Sequence, residues 1–437
     1  MTAADFRTRP RPTLKSRLTH LLIRAGDPSA RLRAGAALEL YYEVGDAHSH
    51  LCARWLAGVR GRLRVPLRIR PVPAPAPETY PEAARQRAFA REDVRRLAPC
   101  VGLELRHPPA EPDPALRATV ERRLAALAGD PERFLTTEAE LIPQLWAGRV
   151  PAGGAGAAAP AAAALLRENA LRRQRLGHYL PAMWQFGGRW FWALERLPWL
   201  ERALRARGLL DGAAPLIERQ PQRLPAPTPA ADDPLEVFFS FRSPYSYLAL
   251  VELARRGAGD SWPLRLRPVL PMVMRGLTVP RAKRMYIAGD AARCARELNI
   301  AFGHVHDPLG AGVLRLLAAY PWSAAPEVQL RYAVAAGRAV WAEGVNVAED
   351  AGLRHVLEHG GLDGTHAAGD EDTALAAAED NRRALQAIGL WGVPSFHCGG
   401  FATWGQDRLW MIDELRRRQR NIARAAGGAV QPGVSRR

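Results

Sequence analysis

Two stretches decide how this chain folds: Leu38–Cys52, LELYYEVGDAHSHLC, and Leu235–Ala249, LEVFFSFRSPYSYLA. Each opens Leu-Glu and runs through an apolar, aromatic segment that reads as a strand. Each then breaks into polar residues before an Ala/Leu-rich helix. They lie 197 residues apart (235 minus 38), and the same spacing aligns Leu67–Val72, LRIRPV, with Leu264–Val269, LRLRPV. It also aligns Phe89, Asp93 and Arg96 with Tyr286, Asp290 and Arg293. Three matches in one register predict a doubled unit.

The two halves also end alike, in YLPAMWQFGGRWFWALERL before and at Leu197 and in WGVPSFHCGGFATWGQDRL over Trp391–Leu409. Pairing Pro181 with Pro394 gives a spacing of 213, so about 16 extra residues (213 minus 197) are expected inside the second half. Each half reads strand, helix, strand, a long helical stretch, two short strands and a closing helix, an α/β fold class. In the second half the expected elements are a strand at Leu235–Phe241, a helix from Pro244 to about Arg256 and a strand at Leu264–Pro268. A helical block follows over 280–385, then a hairpin through Gly399-Gly400 and a helix from Gln406 to about Arg418. The implied organisation is an extension at 1–36, a domain at 37–215, a proline-rich linker at 216–234, a domain at 235–420 and a basic, disordered tail at 421–437. The Ala/Gly/Pro tract Val150–Ala164 reads as a loop.

Composition narrows the function. With 48% hydrophobic and 24% charged residues in 437, the chain is of ordinary globular make-up and not wholly disordered. No apolar run reaches the eighteen or so residues of a membrane span, and the arginine-studded N-terminus has no signal-peptide core, so a cytoplasmic location is expected. The net charge of +17 is almost all arginine, since Lys15 and Lys283 are the only lysines, and it is spread along the chain rather than gathered in a nucleic-acid module. No nucleic acid is therefore expected as a partner. Cys52, Cys100, Cys294 and Cys398 form no Cys-x-x-Cys, so neither a zinc knuckle nor a dithiol centre is encoded. His304, His306 and Asp307, and the pair His355 and His359, lack a third ligand in register, so no metal is expected.

With Phe239-Ser-Phe-Arg-Ser-Pro-Tyr-Ser-Tyr-Leu248, Gly392-Val-Pro-Ser395 and Trp404-Gly-Gln-Asp-Arg-Leu409, the second half resembles the DsbA-like branch of the thioredoxin fold. Within it, the likeness is to the 2-hydroxychromene-2-carboxylate isomerase and kappa-class glutathione transferase group. It covers about Leu235–Arg418, and more faintly Leu38–Arg205. The implied architecture is two tandem DsbA-type domains, each a small mixed sheet with an inserted helical subdomain. Where DsbA-like oxidoreductases carry Cys-x-x-Cys at a helix head, this chain has Ser243-Pro244-Tyr245-Ser246. Without a thiolate, dithiol–disulfide exchange is excluded there.

The resemblance implies a glutathione cofactor and catalysis by Ser243, whose hydroxyl would steady the glutathione thiolate. Pro244 and Tyr245 would line the same turn. Val393, before a cis Pro394, would meet the cysteinyl amide, and Gln406 and Asp407 the γ-glutamyl end. The asparagine such proteins carry after the second strand is absent near Gly276-Leu277-Thr278. Pro181 is expected to be cis as well. The implied activity is isomerisation or transfer by conjugate addition to a small aromatic molecule. The alternative is a non-catalytic binding protein that keeps the oxidoreductase fold without its cysteines. In the first half Asp46-Ala47-His48-Ser49 replaces the serine turn and Leu194-Glu195 replaces Gln406-Asp407, which reads as a degenerate copy. The tryptophan surplus of both halves predicts that they pack on each other; a homodimer is left open.

Overall fold

A computed structural model describes residues 16, 36–105, 110–151, 156–257, 262–362 and 369–428. It contains two four-stranded mixed sheets with the same layout. Strands β1 (Leu38–Tyr42), β2 (Leu67–Pro71), β3 (Met183–Phe186) and β4 (Arg189–Trp192) lie in the order β2-β1-β3-β4. Strands β5 (Leu235–Phe239), β6 (Leu264–Pro268), β7 (Ser395–Cys398) and β8 (Phe401–Trp404) repeat it as β6-β5-β7-β8. In each sheet the first pair is parallel and the other two antiparallel. Among the described residues, one compact unit runs to Pro225 and takes in Thr278–Tyr286; the other takes Ala226–Leu277 and continues from Ile287.

The pairing corrects one alignment. Leu38 faces Leu67 and Leu235 faces Leu264, which keeps the spacing of 197. Leu40, however, faces Trp184 while Val237 faces Phe396, so β3 and β7 are 212 residues apart (396 minus 184). Ala182, not Pro181, is the counterpart of Pro394, and the second half is longer by 15 residues (212 minus 197) rather than 16. Val393–Pro394 is cis, whereas Leu180–Pro181 is not. The counterpart position in the first sheet is filled by Ala182 with a left-handed backbone at φ 53°. Its carbonyl accepts from Ala193 N at 2.9 Å, just as the Pro394 carbonyl accepts from Gly405 N at 2.8 Å.

The first sheet carries α1 (Ala47–Val59) after β1, then α2 (Ala83–Cys100), α3 (Pro114–Ala125), α4 (Pro131–Trp146) and α5 (Ala159–Arg175) between β2 and β3, with α6 (Leu197–Arg205) last. The second carries α7 (Pro244–Arg255), then α8 (Arg281–Glu297), α9 (Ala311–Ala318), α10 (Pro326–Trp341), α11 (Asp350–His359) and α12 (Glu371–Ala387), with α13 (Leu409–Gly428) closing. Their starts follow from capping chemistry: Asp113, Asp130 and Asp370 each accept an amide of the first turn, and proline opens α3 and α4 where no amide bond is lost. Both hairpins turn on Gly-Gly pairs with left-handed φ, 55° and 75° at Gly187-Gly188 and 51° and 77° at Gly399-Gly400.

Other expectations shift as well. The Val150–Ala164 tract is not all loop, because its alanines start α5 at Ala159. The closing helix is preceded by a 3₁₀ turn, Gln406–Arg408, and α13 extends to Gly428, into the stretch expected to be a disordered tail. Residues 216–225 lie along their own unit, with Leu216 and Leu224 buried and the Leu216 carbonyl accepting from Trp55 Nε1 at 2.9 Å. The expected extension at 1–36 falls almost wholly outside the described residues.

One polar network recurs under both sheets. Arg70 on β2 bonds Glu39 on β1 at 2.8 Å and Asn169 at 3.5 Å, while Asn169 Nδ2 donates to the Pro71 carbonyl at 2.9 Å. Arg267 bonds Glu236 at 2.6 Å and Asn381 at 3.1 Å, and Asn381 Nδ2 donates to the Pro268 carbonyl at 3.0 Å. The asparagines hook α5 and α12, the last helix of each insert, to the strand end.

Candidate functional site

The head of α7 is built from a short run of serines. Ser243 is the N-cap, with extended backbone (φ −102°, ψ 114°), and its Oγ accepts from Ser246 N at 3.1 Å. Pro244 takes the first helical position, where a missing amide costs nothing. Ser243 N donates to the Ser240 carbonyl at 2.9 Å, and Ser240 N to Ser246 Oγ at 3.3 Å, so the loop from β5 is tied down on both sides. The Ser240 hydroxyl is itself buried without a partner. Across the turn lies the cis Val393–Pro394 peptide, and the Ser243 hydroxyl donates to the Val393 carbonyl at 3.5 Å, the long end of hydrogen bonding. A hydroxyl so weakly engaged is easily re-aimed. The helix adds a partial positive pole at the same point. The Gln406–Arg408 turn packs against α7.

Tyr245 and Gln406 are engaged elsewhere. The Tyr245 hydroxyl donates to Asp290 Oδ2 on α8 at 2.8 Å, and Arg293 holds the other oxygen at 3.1 Å. Cys294, one turn along α8, has its sulfur 3.9 Å from Asp290 Oδ2 and accepts from Gln406 Nε2 at 3.7 Å. The geometry therefore joins Ser243, Pro244, Val393 and Pro394 directly, and links Tyr245 to Gln406 through Asp290 and Cys294. Asp407 stands half-buried on the 3₁₀ turn. Ser240, Asp290 and Cys294 were not among the residues picked from sequence. The repeat did carry a signal for Asp290, which matches Asp93 at the spacing of 197.

The other candidate clusters are occupied by ion pairs. Asp307 receives two bonds from Arg242, at 2.7 and 2.8 Å. His355 Nε2 sits 2.7 Å from Glu343 Oε2, and that bond, with help from Arg338, holds the Glu343 carboxyl down at about 2. His359 Nδ1 meets the His355 carbonyl at 2.8 Å. Among the described residues no three His, Cys, Asp or Glu side chains converge on a metal position. All four cysteines are buried and unbridged, and burial pushes the Cys398 thiol up to about 12.

Residues 234–415 match the DSBA-like thioredoxin domain family, and this part of the chain has that fold. No curated protein matches the chain. Among solved structures, a 2-hydroxychromene-2-carboxylate isomerase is 22% identical, with a TM-score of 0.36, over 45% of this chain and 100% of its own. The cytosolic disulfide reductase DsbM of Pseudomonas aeruginosa is 19% identical, with a TM-score of 0.31, over 44% of this chain and 99% of its own. A probable DsbA oxidoreductase of Streptomyces coelicolor is 16% identical, with a TM-score of 0.30, over 46% of this chain and 94% of its own.

Proposed function

We propose that the DSBA-like domain is a glutathione-dependent isomerase or transferase acting on a small aromatic electrophile, with Ser243 as the catalytic residue. The observation that carries this reading is a hydroxyl, in place of a thiol, at the N-cap of α7, set beside the Val393 carbonyl. The donor set suits a guest sulfur: a loosely held Ser243 hydroxyl, the partnerless hydroxyl oxygen of Ser240, and the positive pole of α7. Glutathione, when bound, supplies the nucleophilic thiolate for conjugate addition, recycled in the isomerase version and consumed in the transferase version.

The chain's own groups divide the remaining work. Ser243 turns its proton from the Val393 carbonyl toward the sulfur position and favours the anionic form. An ordinary thiol has a pKa of about 8.5, so a lowering of roughly two units raises the thiolate fraction more than tenfold at neutral pH. The Val393 backbone and Pro394 orient the cysteinyl part, and Gln406 and Asp407 face the γ-glutamyl end, where a carboxylate suits an ammonium group.

A second reading, a non-catalytic binding protein, is favoured by the inward bonds of Tyr245 and Gln406 to Asp290 and Cys294, which leave fewer groups for a cofactor. Titrating the full chain with reduced glutathione separates the two. A rise in melting temperature, together with thiolate absorbance that drops in Ser243→Ala, is expected for the first reading. Glutathione binding without thiolate, or none, favours the second.

A further inference from the structure

The helix that follows the first strand differs between the units one turn beyond its head as well. On α7 the Tyr247 ring packs against Gly337 of α10, where a Cβ would lie 2.6 Å from it, and the Tyr247 hydroxyl donates to the Ala301 carbonyl at 3.0 Å. Val251 follows one turn later. The spacing of 197 sets His50 and Arg54 at these two places on α1. There a cavity of about 430 Å³ opens between α1 and α4, lined by His50 and Arg54 on one side and by Leu135, Ala139 and Glu140 on the other. That volume falls within the roughly 300–1,000 Å³ of small-molecule sites.

His50 is built into the cavity wall. It is 2% exposed, its ring stands edge-on to Trp146 at 4.8 Å between centroids, and its Nδ1 lies 2.6 Å from Glu138 Oε1. The same oxygen accepts from the Tyr42 hydroxyl at 2.8 Å, and Glu138 Oε2 is buried with no partner among the described residues. A carboxylate that only accepts holds the imidazole proton on Nδ1, which leaves the Nε2 lone pair as an acceptor. Nε2 bonds no described residue. A buried charged pair of this kind is costly, and Tyr247 shows that the fold can fill the place without one. Arg54, half-buried, and Glu140, exposed, have no hydrogen bond or ion pair among the described residues. Side chains four apart on a helix stand about 5–6 Å apart at Cβ, so His50 and Arg54 present an acceptor and a cation on one face. Arg60, which also lines the cavity, is paired with Glu132.

We infer that the cavity between α1 and α4 binds a free α-amino acid with an apolar side chain. Its carboxylate meets the Arg54 guanidinium, whose planar fork matches it. Its ammonium donates to His50 Nε2 and lies on the side of the cavity that carries Glu140. Leu135 and Ala139 offer the apolar wall for the side chain. A plain anion would be repelled by Glu104 and Glu140, both of which line the cavity, and a plain cation by Arg54. A ligand that carries both charges on neighbouring atoms answers the whole lining. The site lies within the first unit and does not rest on the glutathione reading of the second.

The test is calorimetry and thermal melting of the full chain with L-leucine, with N-acetyl-leucine and leucinamide as controls that lack the ammonium and the carboxylate respectively. Leucine should raise the melting temperature, and each control should bind more weakly by about tenfold or more. Arg54→Met removes no bond that the protein makes within itself and should weaken leucine to the same degree. The inference falls if leucine does not bind at millimolar concentration, if either control binds as tightly as leucine, or if Arg54→Met binds it undiminished. Should Arg54→Met fail to fold, the contrast between leucine and its two controls in the wild type decides.

Discussion

Asp46 and Ser243 occupy the same place, one residue before the helix that follows the first strand of each sheet. Asp46 spends a full negative charge on capping α1, which repels any anion brought to its oxygens; Ser243 caps α7 with a neutral group and keeps a proton to give. Beneath the sheets the two regions agree, with Glu39, Arg70 and Asn169 answering Glu236, Arg267 and Asn381. The difference teaches that the scaffold chemistry is held in common while the helix head is where the regions part. Neither head carries a cysteine in its first turn, Asp46-Ala47-His48-Ser49 in one and Ser243-Pro244-Tyr245-Ser246 in the other.

The agreement can be strained hardest at its carboxylates. Glu39 is 2% exposed and is bonded by Arg70, Arg172 and Tyr41, so Glu39→Leu should cost about 3 kcal/mol in urea unfolding by leaving arginines unpaired. Glu236, half-buried, should cost about 1–2 kcal/mol in the same change. Equal losses would mean that the two networks are not graded by burial.

The hairpins give a finer contrast. A Cβ at Gly399 would lie 2.9 Å from Pro229 Cα, a backbone atom, whereas at Gly187 the nearest atoms belong to the end of the long Arg207 side chain, at 2.8 Å. With a left-handed backbone at both, Gly399→Ala should cost about 2 kcal/mol and Gly187→Ala about 1 kcal/mol, measured as melting shifts.

Ser243→Ala and Asp46→Ala should each remove a cap worth about 1 kcal/mol. Only the former should weaken glutathione binding, by tenfold or more in calorimetry; a matching loss in Asp46→Ala would put the glutathione site elsewhere. The smallest effect is in acid. The His397 bond, with Arg267 against the pull of burial, holds Glu236 at about 2, below its unfolded value of about 4.3. Its contribution is thus present above about pH 4.3 and fades as pH falls toward 2. Glu236→Gln should flatten that acid limb by under about 1 kcal/mol, after screening of a half-buried group.

Much of this was legible in the sequence. Periodicity and Gly-Gly pairs place the strands and hairpins, and Ser-Pro marks the start of α7. The Glu–Arg–Asn networks were not legible, because an asparagine inside a polar helix looks like any solvated residue until a strand-end carbonyl is found opposite it. Prolines also misled the alignment: Pro181 and Pro394 attract pairing by type, but the ladder hydrogen bonds that set register put Ala182 opposite.

The asparagine hooks have a bearing on how such a chain can change over time. From Pro71 to Asn169 is 98 residues and from Pro268 to Asn381 is 113, so the whole length difference between the sheets' inserts falls before the hook. Closing a loop longer by that ratio adds only about 0.1 kcal/mol of chain entropy. Between the second strand and its asparagine, then, each half has a stretch in which insertions and deletions are nearly neutral for folding, and a lineage can try new surfaces there without disturbing the strands that follow.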